Sequence, residues 1–422
     1  MSDPATKSRS ADIRNRLGFP IVDVDGHQAP IDPGFGDYLV KEGGSRFAAR
    51  YRAKLSESSD PGLLELGGLE IAWYDLSWEQ RRDRRAQRGG WWGSPAKNTL
   101  DRATGSLPRL LYERLDEIGI HFTILYAGGL FTLPMEQDEE IRRVASRAMN
   151  AFQADLYAEF ADRMTVVAVI PMHTPEEGIS ALEHAVNKLG FKVIAIPPGI
   201  QRPISELHRR APEAFPRAHW FDTYGLDSAH DYDPFWQRCV DLKVAVTSHG
   251  GVVPGLPWHG TAISSYMSDH IGTHAYQQSL LCKSLFLGGV TRRFPTLNFA
   301  FLECGVGFAC SLYADLVGHW EKRNRQAMEA LDPACVDREY YADLVARYGG
   351  ERLHGELNTI RGRFDLPHVP LDEELLDEWR HLAVTRKDEL RELFCDRFYF
   401  GCEADDPINA WGFNRKVNPL VA

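Results

Sequence analysis

The chain has 422 residues, 44% hydrophobic and 25% charged, which is ordinary globular composition and long enough for one large core carrying insertions. A formal net charge of −11 argues against a nucleic-acid or membrane-surface partner, since either needs a basic face, and no apolar run approaches the roughly 18 residues that span a bilayer. The seven cysteines (239, 282, 304, 310, 335, 395 and 402) form no CxxC pair and mostly sit inside apolar runs, which suggests a reducing cytoplasm.

From the N-terminus, residues 1–18 are polar and lack the apolar stretch of a signal peptide, so they read as a disordered leader. Residues 19–422 read as one unit in which short β-branched runs alternate with amphipathic segments. Strands are predicted at 20–24, 122–126, 165–170, 193–196, 243–247, 297–302 and 398–401. Helices are predicted at 139–163 and 175–189, where apolar residues recur every three or four positions. Thr174 should cap the second of these, with Pro175 at its first helical position. The expected fold is α/β, a (β/α)8 TIM barrel with insertions at the barrel ends, about 32–107 and 321–394. The eighth strand would have to fall between 323 and 394. The first insertion contains Gly89-Gly-Trp91-Trp92-Gly93 and follows the first strand directly, so a lid over that strand's end and a packed surface subdomain are both open. The charged run 79–88 reads as a solvated helix face.

Several strands end in groups that carry chemistry. In Ile21-Val-Asp23-Val-Asp25-Gly-His27, residues i and i+2 share a side of the strand, so Asp25 and His27 can converge on one cation. The run 243–249 is a buried-strand pattern delivering His249 to a Gly-Gly turn, and a metal site takes ligands from several strands. The next strand delivers Glu303 to a glycine-rich turn. A carboxylate at the end of an apolar strand needs a cation or hydrogen bonds to offset its desolvation, as ligand, as base, or in a salt bridge. After the last strand, Glu403, Asp405 and Asp406 crowd one loop, as a bound cation would explain and a solvated acidic turn also would. His270 and His274, at i and i+4 of an expected helix, could bind substrate, a second metal or nothing. Trp91, Trp92 and Tyr126 could wall the pocket or simply pack.

With these motifs the chain resembles the amidohydrolase superfamily, in its amidohydrolase-related branch containing aminocarboxymuconate-semialdehyde decarboxylase. The resemblance runs from Pro20 to about Trp411. It rests on Asp25/His27, on Tyr112-Glu-Arg-Leu-Asp-Glu-Ile-Gly-Ile120, on Asp233-Pro-Phe-Trp236 leading to Ser-His249-Gly-Gly, and on Arg293-Phe-Pro-Thr-Leu-Asn-Phe-Ala-Phe-Leu-Glu303-Cys-Gly305-Val-Gly. It implies one divalent metal, usually zinc, held by Asp25, His27, His249 and a last-strand acid matching Glu403, and it implies a homodimer. Two departures stand out. Decarboxylases of this branch carry His-Gly-Gly where this chain has Glu303, and the usual Gly-Ser-Asp is here Gly-Cys-Glu403-Ala-Asp405-Asp406, which leaves the acid open between Glu403 and Asp406.

The leading expectation is a metal-dependent hydrolase or carbon–carbon lyase, such as a decarboxylase, acting on a carboxylated or cyclic small molecule. Glu303 and the Glu403/Asp406 cluster are the candidate bases. One alternative is a dinuclear iron or manganese oxygenase of the same family, because the histidine and carboxylate supply suffices for two metals. The other is a non-catalytic barrel subunit.

Overall fold

In a computed structural model, the described residues are 8–29, 34–57, 70–84, 86, 88, 97–127, 133–212, 219–251, 262–332, 335–356, 358 and 376–414. The strands are β1 (Val22–Gln28), β2 (Phe122–Ala127), β3 (Met164–Val166), β4 (Ala168–Val169), β5 (Val193–Ile196), β6 (Ile200–Pro203), β7 (His219–Asp222), β8 (Ala245–His249), β9 (Phe299–Leu302) and β10 (Phe398–Phe400). Two parallel sheets, β1-β2-β3 and β4-β5-β8-β9-β10, adjoin at Val167 between β3 and β4. Together they give seven strand positions in chain order, as expected of a barrel. Closure shows in the side chains: His249 Nε2, at the end of β8, stands 3.5 Å from Asp25 Oδ1 of β1 and 3.1 Å from Oε2 of Glu303, just past β9. The fold is the (β/α)8 barrel that the strand–helix alternation predicts. No strand is found among the described residues between 323 and 394, so its eighth position is not located there.

Helices form where the sequence punctuates them. Thr174 accepts from the Glu177 N–H, Pro175 follows it, and Gly190 ends the helix Pro175–Leu189 at φ +81, a conformation that spares glycine any Cβ clash. Asp138 caps Glu139–Tyr157, and that helix stops six residues short of the predicted end, passing into a 3₁₀ turn. The core alternates along the strands. On β5, Ile194 and Ile196 join one apolar cluster, whereas Val193 and Ala195 join another, as expected of a parallel strand buried on both faces. Trp236, fully buried, anchors the first cluster against Phe299.

Three differences from the sequence expectation are instructive. Within the leader, Arg9–Arg16 is a helix capped by Ser8, held to the helix Pro108–Ile118 by an Arg14–Asp116 ion pair at 2.9 Å; residues 1–7 lie outside the described residues. Gly119, at φ +93, lets the two meet, since a Cβ there would sit 2.9 Å from the Ser10 carbonyl oxygen. Second, β1 and β8 start two residues later than predicted, so His27 and His249 are inside strands. Third, β6 and β7 form an antiparallel hairpin that the sequence reading missed. In the first insertion the described segments are helical, including Phe35–Glu57 and Trp78–Arg84. Trp91 and Trp92, proposed for a lid, lie outside the described residues.

Candidate metal centre

β1 carries the first two donors. Its register against β2 is irregular between Asp23 and Gly26, and a Cβ at Gly26 would stand 2.5 Å from the Thr123 hydroxyl, so only glycine fits this bulge. Asp23, the residue one step from Asp25 in the motif, turns to local duty: it accepts from the Asp25 N–H at 3.1 Å and from the Thr123 hydroxyl at 3.2 Å. Asp25 and His27 remain on one side, as the strand period requires, and with His249 their donor atoms lie within 4.8 Å of one another. Nδ1 of His27 is 3.1 Å from the Asp25 carbonyl oxygen, and Nδ1 of His249 bonds the Gly250 carbonyl. With Nδ1 so placed, each imidazole could offer Nε2 to a cation, the usual way backbone carbonyls orient metal-binding imidazoles.

His249 is the hub. Its Nε2 is 3.5 Å from Asp25 Oδ1 and 3.1 Å from Glu303 Oε2. Glu303 sits at φ +51, a strained backbone position for a residue with a side chain, two residues before Gly305 at φ +76. That turn aims its carboxylate back over the strand ends. Its second oxygen, Oε1, is 3.8 Å from Nε2 of His274, so His249, His274 and Glu303 form a second donor set.

The electrostatics follow from burial and from the crowding of carboxylates and imidazoles. Burial lifts the Asp25 carboxyl to about 6, with the Glu303 and Asp23 charges adding to the lift and His249 opposing it. Burial also acts on Glu303, but the His249 hydrogen bond and the His274 and His249 charges outweigh it and bring the carboxyl down to about 2. His274 is lowered to about 4, chiefly by burial. His249 is raised, because Glu303 and Asp25 overcome the effect of burial. Asp25 Oδ1 is buried with no hydrogen bond. A buried acceptor left so is costly unless a cation completes it, and two carboxylates with two or three imidazoles are a set suited to zinc, manganese or iron. The residues present fit a divalent cation.

Other predicted site residues fall elsewhere. The resemblance placed Glu403 in the ligand set, but it belongs to neither donor set among the described residues. β10 ends at Phe400, and the chain then enters a loop tied by its own hydrogen bonds, Asp406 N–H to the Glu403 carbonyl at 3.2 Å and Asn409 N–H to the Asp406 carbonyl at 3.0 Å. Glu403 is exposed there and Asp406 half-buried. Glu303 is the glutamate that joins His249 and His274 in a donor set among the described residues. His270 and His274 are not on one helix: Gly272 at φ +79 separates Tyr266–His270 from Thr273–Leu287, yet their Nε2 atoms are 3.3 Å apart. Tyr126, opposite His27 in register, is buried with its ring 6.3 Å from His27 and 6.0 Å from His249.

His173 went unread in the sequence. It follows the β4 strand as His249 ends β8, and that parallel was the available signal. Both its ring nitrogens are buried without hydrogen bonds, and burial, with Arg142 and Arg202 nearby, lowers its pKa to about 3.

Solved structures similar to this one include a dihydroxybenzoic acid decarboxylase from Polaromonas sp. JS666 with bound manganese and the inhibitor 2-nitroresorcinol (16% identity, 93% of this chain and 81% of that chain, TM-score 0.44). A 5-carboxyvanillate decarboxylase from Sphingomonas paucimobilis (14%, 96% and 96%, 0.43) and an amidohydrolase from Mycobacterium avium subsp. paratuberculosis K-10 (16%, 90% and 96%, 0.48) are similar as well. The family model described as amidohydrolase matches residues 135–395, more than half of the chain, and the chain belongs to the amidohydrolase family.

Proposed function

We propose that this chain is a divalent-cation-dependent enzyme that hydrolyses, or cleaves a carbon–carbon bond of, a small carboxylated or cyclic organic molecule. The observation that carries the reading is the convergence of Asp25, His27 and His249 from opposite sides of the barrel, with Glu303 against His249. These four residues would hold the cation, with zinc the first choice and manganese or iron suited to the same donors. When bound, it would polarise a substrate oxygen and acidify a water.

The protein's own groups supply the rest. Glu303, held ionised by His249 and His274, serves as ligand rather than proton carrier. Proton transfer falls to the acidic turn after β10. The Glu403 carboxyl is pushed up by desolvation and by the Glu303, Asp405 and Asp406 charges, and with Asp406 it is the pair of carboxyls the turn offers for proton transfer. Tyr126 and the β-strand ends close the floor against water.

The test is turnover of a panel headed by 2,6-dihydroxybenzoate and 5-carboxyvanillate, with lactones and amides beside them, using protein loaded with zinc or manganese. Carbon dioxide release marks lyase chemistry and proton release without it marks hydrolysis. Metal binding with no turnover across the panel favours a non-catalytic subunit. The same preparation tests two further parts of the proposal, a homodimer by light scattering and a cytoplasmic location by fractionation. No helix among the described residues is long and apolar enough to cross a membrane.

A further inference from the structure

We infer that Gln277 aims His249: its side-chain amide clamps the Gly250–Gly251 turn, and through that turn it fixes the imidazole in the orientation that offers Nε2 to a cation. Gln277 is a positioning residue, and the inference rests on the metal site proposed above.

The clamp has two points. The Gly251 N–H donates to Gln277 Oε1 at 3.2 Å, and Gln277 Nε2 donates to the Gly251 carbonyl at 2.7 Å. One side-chain amide thus satisfies both main-chain groups of a residue lying two positions past the end of β8. Gln277 is 0% exposed, so water does not compete for either bond. Burying an amide is costly unless it is bonded, and these two bonds offset the cost.

The clamp reaches His249 through a peptide bond. The Gly251 N–H and the Gly250 C=O belong to one planar unit and point in opposite directions. Turning the N–H toward Gln277 therefore turns the C=O away from it, and His249 Nδ1 bonds that carbonyl. An imidazole whose Nδ1 is tied to a backbone carbonyl presents Nε2 in a fixed direction. For His249 that atom stands 3.5 Å from Asp25 Oδ1 and 3.1 Å from Glu303 Oε2.

The helix Thr273–Leu287 supplies the grip. Gln277 follows His274 by three residues, so the two share a face of that helix. His274 sets the spacing, because a Cβ at Gly250 would fall 2.7 Å from the His274 Cα. Helix and turn touch at Gly250, and Gln277 bonds Gly251 beyond it. Gln278, the next residue, is also 0% exposed, yet its amide has no hydrogen-bond partner among the described residues. The two glutamines therefore separate the clamp from burial alone.

The experiment uses the full chain labelled with nitrogen-15 histidine, with Gln277→Met as the near-isosteric variant lacking the amide and Gln278→Met as its control. One readout is the Nδ1–H proton of His249 in the metal-free chain, assigned by its absence from His249→Ala. The other is the dissociation constant for ZnCl2 and for MnCl2 titrated into chelator-stripped protein. The native chain and Gln278→Met should show a downfield, slowly exchanging Nδ1–H and matching affinities. Gln277→Met should lose that signal and bind metal about 10–100-fold more weakly. An unchanged signal and affinity in Gln277→Met overturns the inference, and so does equal weakening in both variants, which marks a merely structural role. If Gln277→Met does not fold, the native chain decides, since a His249 without a protected Nδ1–H overturns the clamp. A native chain that binds neither metal refutes the metal site instead, and the Nδ1–H comparison still tests the clamp.

Discussion

Acid should destabilise this protein through His173. The folded chain holds that imidazole at about 3, below the ordinary 6.5, because burial and two nearby guanidiniums oppose its charge. The unfolded chain therefore binds the proton more tightly across the window from 6.5 to 3. The stability due to neutral His173 is fully present above 6.5 and is lost as pH falls toward 3. Between pH 7 and pH 5 the linkage relation gives a loss of about 2 kcal/mol from this group. Other groups titrate in the same range, so the clean measurement is a difference: urea midpoints of the native chain and of His173→Gln at both pH values. The native chain should lose about 2 kcal/mol more than the variant on going to pH 5. Parallel losses in the two proteins would refute the argument, since His173 would then carry the same pKa folded and unfolded.

Other outcomes follow from the same geometry. Arg142→Met should cost about 3–5 kcal/mol in denaturant unfolding, because it strands the Glu177 carboxylate, which is bound at 2.8 and 3.1 Å in a pair only 5% and 8% exposed. Gly250→Ala should push His274 away from Glu303 and weaken metal uptake at least tenfold, with about 1–3 kcal/mol of lost stability from overpacking; unchanged metal affinity would contradict the close approach. Asp25, its carboxyl raised to about 6 chiefly by burial, carries more of its proton at pH 5.5 than at pH 7.5 in the metal-free chain. Metal binding should accordingly release more protons at the lower pH, as calorimetry in buffers of different ionisation enthalpy would show.

The sequence was most legible where one physical rule acts alone. The run at 193–196 is a buried parallel strand with no competing signal, and β5 occupies those residues. The strand period predicted that Asp25 and His27 would share a side, and a long apolar strand predicted where His249 would emerge. Legibility failed where the outcome depends on tertiary approach. The bulge at Gly26 is dictated by Thr123 and Leu125 of the neighbouring strand, which local pattern cannot reveal. The approach of Glu303 to His249 turns on a left-handed backbone at residue 303, unusual for glutamate and invisible to propensity. Likewise the i, i+4 spacing of His270 and His274 suggested one helix, and the break at Gly272 brought the same two rings together by another route.

Metal analysis of protein purified without added metal, for the native chain and for His249→Ala, tests the central claim most directly. The account predicts near-stoichiometric divalent metal in the native chain and its loss in the variant, because His249 touches both donor sets. A native chain that binds no zinc, manganese or iron even after reconstitution, or a variant that retains the native complement, would contradict it.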